Sequence, residues 1–272
     1  DIGGVMCDYD VIYEIIEKKK HLFRPNHPYQ EALGRILVLA DSAHGFGASY
    51  KGRKSGCVAD FTSFSFHAVK NLTTGEGGAV TWRSDIGLND DEVYQQFMLL
   101  SLHGQSRDAL ARLASGDCDY DIVMPGFKCN MTNIMAAIGL GQLERYDEIL
   151  RKREQYINIY NENLPIDQLD IMEHKSDKQC SSFHLYLTRL CGKDMAFRNR
   201  FIHNMQQVGI TCNIHFKPLP MHTAYKNMGF DIKNYPNAFS LYENEVTLPL
   251  NTKMTADDVL YVAEQASRML QE

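Results

Sequence analysis

The chain has 272 residues, 44% hydrophobic and 23% charged, an ordinary globular composition with length enough to bury a substantial core in one large domain or two modest ones. Its 28 Lys and Arg against 34 Asp and Glu leave a formal charge of −6, which gives a nucleic-acid backbone no broad reason to bind. No apolar run approaches the length of a membrane span, so neither a basic nucleic-acid binder nor a membrane protein is expected.

The first element is a helix capped by Asp8 or Asp10 and running to about Lys20, with Val11, Ile12, Ile15 and Ile16 on its apolar side. The run Ile36-Leu37-Val38-Leu39-Ala40, ending at Asp41, reads as a strand buried on both faces. Phe61–Phe66 alternates as a second strand. A Gly-rich turn, Gly75-Glu76-Gly77-Gly78, leads into a third at Ala79–Trp82. Helical patterns follow over Val93–Leu102 and Thr132–Leu150. Beyond them the texture changes to a compact α+β pattern: strand-like Phe183–Leu190, helical Met195–Val208, strand-like Ile210–Phe216 and a last helix over Thr255–Leu270. Two domains are expected, residues 1–150 and 151–272.

Seven scattered cysteines (Cys7, Cys57, Cys118, Cys129, Cys180, Cys191, Cys212), odd in number and without a CxxC pair, argue against a disulfide framework or a zinc knuckle. Together with the lack of anything like a signal peptide, they point to reduced thiols in a cytoplasm, and no metal site is expected. A start at Asp1-Ile2-Gly3-Gly4 reads as the middle of a domain.

Polar residues gather at the ends of the apolar strands: Asp41, then Ser65 and His67, then Lys70. In open α/β sheets ligands bind outside the carboxyl ends of strands, so these positions form a candidate site. A lysine between aromatic strand residues and a Gly-rich turn can sit partly desolvated, which lowers its pKa and makes it a nucleophile toward aldehydes. Each residue also has a plainer use. Asp41 suits a helix cap or turn, Lys70 a solvated surface, and His44 and His67 structural hydrogen bonding. Gly45-Phe46-Gly47 after a strand hints at a dinucleotide fingerprint, but the next glycine is Gly52, the wrong spacing.

In order along the chain, Asp41-Ser42-Ala43-His44-Gly45-Phe46-Gly47-Ala48 and Ser63-Phe64-Ser65-Phe66-His67-Ala68-Val69-Lys70-Asn71-Leu72-Thr73-Thr74-Gly75-Glu76-Gly77-Gly78 resemble the DegT/DnrJ/EryC1 family of pyridoxal phosphate (PLP) sugar aminotransferases. Gly126–Ile134 resembles its interface loop and following helix. Asn213–Leu219 and Val246–Leu250 resemble its C-terminal signatures. The resemblance implies an α/β chain of the type I PLP-dependent aminotransferase fold: a partial large domain with a mixed, mostly parallel sheet, and a small C-terminal α+β domain. It implies an activity that moves an amino group, with glutamate the expected donor, onto a nucleotide-linked keto-sugar for polysaccharide or glycan synthesis. By the same resemblance Lys70 forms the internal aldimine with PLP. Asp41 faces the pyridine nitrogen, whose protonation makes the ring an electron sink. His44 packs near the phenolic oxygen side, and Ser65 contacts the phosphate. Lys128 stands where many relatives carry an Asn that reaches the neighbouring subunit's phosphate, so a homodimer is expected. Asn130 stands where many carry an Arg tied to the donor carboxylate. His184 and His215 match positions on the substrate side.

A sugar-dehydratase branch of the family has histidine in place of the Schiff-base lysine, and Lys70 argues against it. In the family a substantial segment with a phosphate-binding turn and a ring-stacking aromatic precedes the Asp1 position. Its absence here leads to an expectation of weak or absent PLP binding by residues 1–272 alone, and keeps a non-catalytic homologue, one that only dimerises or binds sugar nucleotide, as the alternative.

Overall fold

The computed structural model describes residues 1–106 and 119–271, so Cys118 lies outside the described residues. Its strands, in chain order, are β1 (Leu39–Asp41), β2 (Ser49–Tyr50), β3 (Arg53–Lys54), β4 (Phe61–Ser65), β5 (Gly78–Trp82), β6 (Leu169–Ile171), β7 (Gln179–Cys180), β8 (Tyr186–Leu190) and β9 (Glu245–Leu248). Two compact units form. The N-terminal unit holds Cys7–Ser42 and Ser55–Leu143; the C-terminal unit holds Asp1–Met6, Ala43–Lys54 and Glu144–Glu272. The expected division at residue 150 is contiguous, whereas this one is not. The segments 1–6 and 43–54 fold with the C-terminal half because their backbone partners are there: Ser182 N–H donates to Gly4 O (3.0 Å), Lys51 N–H donates to Lys178 O (2.6 Å), and β2 pairs with β7.

In the N-terminal unit, β1 runs parallel to β4 and β4 antiparallel to β5, giving the mixed sheet order β1-β4-β5. A buried carboxylate organises the approach to β1. Asp60 accepts from Arg35 Nη1 and Nη2 (2.6 and 2.8 Å), from the Val38 N–H (2.8 Å) and from the Tyr13 hydroxyl (2.9 Å). Burial pushes this carboxyl up, but Arg35, Val38 and Tyr13 outweigh it and hold it below the usual carboxylate range. Sequence reasoning expects Ile36–Ala40 to be a strand buried on both faces, and this is corrected: only Leu39–Asp41 pairs, Ala40 points inward, and Leu39 is 65% exposed. Burial alternates along β1, exposed at Leu39 and Asp41 and buried at Ala40, so one face of the strand is covered and the other is not. Gly78 sits where β5 passes so close to β4 that a Cβ would come 2.6 Å from Phe64 O. The helices Tyr9–Lys19 and Asp90–Ser101 form as expected, capped by the side chains of Asp8 and Asn89.

The expected single helix over Thr132–Leu150 is two. Asn133–Leu143 ends where apolar sequence gives way to charged, Arg145 leaves helical backbone (φ −113°, ψ 15°), and a new helix runs Tyr146–Asn163.

In the C-terminal unit, β6-β8-β9 is wholly antiparallel, as is β3-β2-β7. The helices Tyr146–Asn163, Met195–Gln207 and Ala256–Leu270 close a core in which Tyr160, Tyr186, Met205, Val246 and Val259 are fully buried. The last helix opens with a capping box. Thr255 Oγ1 accepts from Asp258 N–H (3.2 Å), and Asp258 Oδ2 accepts from Thr255 N–H (2.8 Å). Two expected strands change. The one over Phe183–Leu190 begins only at Tyr186, since Phe183 has left-handed backbone (φ 55°). The one over Ile210–Phe216 reduces to a bridge between Asn213 and Thr247, and the His215–Phe216 peptide is cis. Among the described residues, no helix is long and apolar enough to cross a membrane.

Candidate active site

The expected site residues divide between the units: Asp41, Ser65, Lys70, Lys128 and Asn130 in the N-terminal one, and His44, His184 and His215 in the C-terminal one.

Asp41 ends β1 and registers with Ser63 of β4, so the two-residue period puts Asp41, Ser63 and Ser65 on one face of the sheet at its carboxyl end. The chain then turns. The His67 N–H donates to Ser65 Oγ (3.3 Å) and the Lys70 N–H to His67 O (2.9 Å). The loop is tied back where it started, with Thr74 N–H and Thr73 Oγ1 both donating to Phe66 O (2.9 and 3.1 Å) and Phe66 N–H to Gly77 O (2.8 Å). Gln142 clamps Thr73 with two bonds, accepting its N–H (3.0 Å) and donating to its C=O (2.9 Å). Lys70 is thereby held half-buried near Asp41. Burial pushes its ammonium pKa below the usual value, and the Asp41 carboxylate pulls part of the way back. This is a partly desolvated amine with a carboxylate in electrostatic reach, at the carboxyl end of a sheet.

Lys128 and Asn130 are exposed, and Lys128 Nζ donates to Asn130 Oδ1. Their loop is laced to the helix Asp90–Ser101 and the turn after it: Phe127 N–H donates to Leu100 O (2.7 Å), Cys129 N–H to Ser101 O (3.0 Å) and His103 N–H to Phe127 O (2.8 Å). Gly104, at φ 73°, permits this, since a Cβ there would overlap Met124 O at 1.8 Å.

His44 accepts the Gly3 N–H at Nδ1 (3.1 Å), which leaves the proton of its neutral ring on Nε2 as a donor. Its ring lies 4.6 Å from that of buried His184 and 6.0 Å from that of Phe216. The His184 backbone is fixed by Arg153, whose Nη1 donates to Phe183 O (3.2 Å), His184 O (3.0 Å) and Leu250 O (3.2 Å). Burial pushes that guanidinium down to about 10. His215 Nδ1 lies 2.8 Å from Thr247 Oγ1.

The DegT/DnrJ/EryC1/StrS aminotransferase family profile matches residues 31–267, nearly nine-tenths of the sequence. The chain belongs to that family. A sugar aminotransferase described as putative, Spr1654 from Streptococcus pneumoniae, is 46% identical in its PMP form, with a TM-score of 0.95 over 99% of this chain and 68% of that one. Its PLP form superposes with a TM-score of 0.94 at 45% identity, over 99% of this chain and 67% of that one. The spore coat polysaccharide biosynthesis protein SpsC of Bacillus subtilis is 34% identical over 96% of this chain and 63% of its own length. GDP-perosamine synthase of Caulobacter vibrioides is 31% identical over 94% of this chain and 61% of its own. The chain therefore spans a little over three-fifths of the curated relatives it matches. The fold is that of type I PLP-dependent aminotransferases.

Several residues that hold the surroundings of the expected site residues, each within its own unit, carry little signal in the sequence. Gln142 sits inside an apolar helix, Asp60 precedes a strand, Arg153 lies in a charged run that reads as solvated, and Glu245 opens a strand that periodicity does not single out. Only a polar residue within the apolar run Ile134–Leu143 hints at Gln142.

Proposed function

We propose that this chain serves PLP-dependent transfer of an amino group from an amino acid, with glutamate the first choice, to a nucleotide-linked keto-sugar in polysaccharide or glycan synthesis, in the cytoplasm. The observation that carries the reading is the desolvated amine of Lys70 within electrostatic reach of Asp41 at the carboxyl ends of β1 and β4. The donor set fits the cofactor: a carboxylate for a pyridinium proton, an amine for an aldehyde and a hydroxyl for phosphate. Bound there, PLP supplies an electron sink for a carbanion at the donor's α-carbon. Asp41 would keep the ring nitrogen protonated. Ser65 Oγ would donate to phosphate, and Lys128 of a second copy would meet it as a point charge. Lys70 Nζ, whose ammonium burial pushes below its usual pKa, would take the proton from the donor's α-carbon and later deliver one to the sugar carbon. By the family resemblance His44 would donate from Nε2–H toward the oxygen side of the ring, and Asn130, His184 and His215 would serve the substrates. One site used in two half-reactions gives ping-pong kinetics.

The dimer rests on the helix Asn133–Leu143. It is almost wholly apolar, yet it buries no residue: Ile134 is 76% exposed, Leu140 64%, and Phe127 just before the helix 73%. This much exposed apolar side chain on one helix supports a docking face there, and a second copy fits the two-fold role given to Lys128.

The test is an absorbance titration with PLP, carried to high concentration because the proposed phosphate contacts are few. A visible band that is lost in Lys70→Ala and shifts on adding glutamate is expected. A band indifferent to Lys70→Ala overturns the lysine assignment. A band that no amino donor shifts overturns transamination, and no band either from residues 1–272 or from a chain that also carries the family's preceding segment overturns the PLP reading in favour of a non-catalytic homologue.

A further inference from the structure

Glu245, the first residue of β9, is only 5% exposed, and both its carboxylate oxygens are engaged. Oε2 accepts the backbone N–H of His215 (2.8 Å), and Oε1 accepts from Thr247 Oγ1 (2.6 Å). Thr247 Oγ1 in turn meets His215 Nδ1 at 2.8 Å. A threonine hydroxyl has a single proton. While Glu245 is ionised, that proton points to the carboxylate, so Thr247 offers His215 only a lone pair, and the neutral ring must carry its proton on Nδ1. Nε2 is then an acceptor, 3.5 Å from the Asn213 amide nitrogen. When Glu245 takes up a proton it goes to Oε1, because Oε2 is held as an acceptor by the His215 N–H. The carboxyl then donates to Thr247, and Thr247 turns its own proton to Nδ1. The ring loses its Nδ1 proton to water as Nε2 takes one from water, so the only net uptake is the proton on Glu245, and the ring stays neutral while Nε2 changes from acceptor to donor.

We propose that Glu245, acting through the Thr247 hydroxyl, sets which nitrogen of His215 carries the proton, and that the charge on Glu245 switches Nε2 between accepting and donating. Glu245 and Thr247 are positioning residues for His215, and with His215 and Arg189 Glu245 lines a cavity of about 250 Å³. The other groups facing Glu245 agree with a carboxyl poised to titrate. Burial pushes it up, whereas Thr247, the His215 N–H and the Arg198 guanidinium pull it down, leaving it at about 7. Arg189 of β8 stands opposite it in the ladder and is paired with Asp170 of β6 (3.3 Å). The Cys212 thiol is pushed up to about 12 by burial and by Glu245, so it stays neutral. If His215 serves the substrate, which rests on the function proposed above, Nε2 donates to a keto or carboxylate oxygen on the acid side of neutrality and accepts from a sugar hydroxyl on the alkaline side.

The test is a pH titration of residues 1–272 labelled with ¹⁵N-histidine, with the His215 ring resonances assigned by their loss in His215→Gln. The expected result is a neutral ring whose protonated nitrogen changes from Nε2 to Nδ1 as pH rises, with a midpoint near 7. Thr247→Ser should keep the change, while Thr247→Val and Glu245→Gln should abolish it. A switch that survives Thr247→Val, a ring that keeps one tautomer throughout, or one that simply becomes doubly protonated overturns the proposal. No cofactor enters this experiment, so its failure and that of the aminotransferase reading are told apart.

Discussion

The two units solve opposite problems. The C-terminal unit gathers a large aromatic and aliphatic cluster into one core, though Phe216, Leu219, Met228 and Leu241 stay exposed, and it satisfies most of its interior polar groups, with Arg153, Arg198 and Glu245 bonded to backbone or side-chain partners. The N-terminal unit keeps Leu39, Val69, Phe127, Ile134 and Leu140 in the open and carries Asp41 and Ser65 on one sheet face, with Lys70 in the turn beyond it. Burial of apolar area is the main source of stability, so the first is built to hold its own shape. The second keeps apolar surface and reactive groups for something outside itself. An amine that meets an aldehyde, the role proposed for Lys70, needs partial burial without full enclosure, and Lys70 is half-buried.

That contrast breaks most visibly in the closed core. Tyr160→Ala should cost about 3–5 kcal/mol, measured by urea denaturation, because it removes a fully buried ring packed 4.6 Å from Tyr186 and the hydroxyl bond to Pro249 O. Ile134→Glu on the open helix should change the monomer's stability by no more than about 0.5 kcal/mol. It should shift sedimentation from dimer to monomer; a variant that remains dimeric removes that helix from the interface.

Next in size are two opposed titrations inside the C-terminal unit. Burial depresses His174 to about 4. The unfolded chain therefore takes a proton below about 6.5 that the folded chain refuses, and stability is lost as pH falls through that window. Glu245, raised from 4.5 to about 7, does the reverse, holding a proton that the unfolded chain has released, so stability is gained as pH falls from 7 toward 4.5. The two nearly cancel in the native chain. Glu245→Gln should uncover a loss of about 1–3 kcal/mol on acidification from pH 6.5. His174→Asn should uncover a gain of similar size; denaturation midpoints at several pH values measure both.

The smallest effect sharpens the picture of the open unit. Gln142→Ala removes both bonds to Thr73 and should cost about 1–2 kcal/mol. It should also speed amide exchange across Asn71–Gly77, the stretch that follows Lys70. Protection equal to the native chain's would show that the Phe66 bonds alone hold the loop.

Much of this was legible from local pattern. The helices Tyr9–Lys19 and Ala256–Leu270 announce themselves by caps and apolar stripes, and β4 and β5 by alternation and a Gly-rich turn, because these signals act within a few residues. The order of motifs around Asp41 and Lys70 was enough to point to the family. Other features depend on contacts far apart in the chain. Whether Ile36–Ala40 is flanked on one side or two, whether Ile210–Phe216 finds a ladder, and where Phe183 turns are decided by neighbours that no local window contains. So are the partners that make Arg153 a backbone clamp rather than a solvated charge, and Glu245 a buried carboxyl within reach of His215. Residue type and spacing determined which chemistry the chain can carry. Burial and long-range hydrogen bonds decided which groups are desolvated, oriented and able to titrate, since those properties belong to the surroundings of a side chain and not to its place in the sequence.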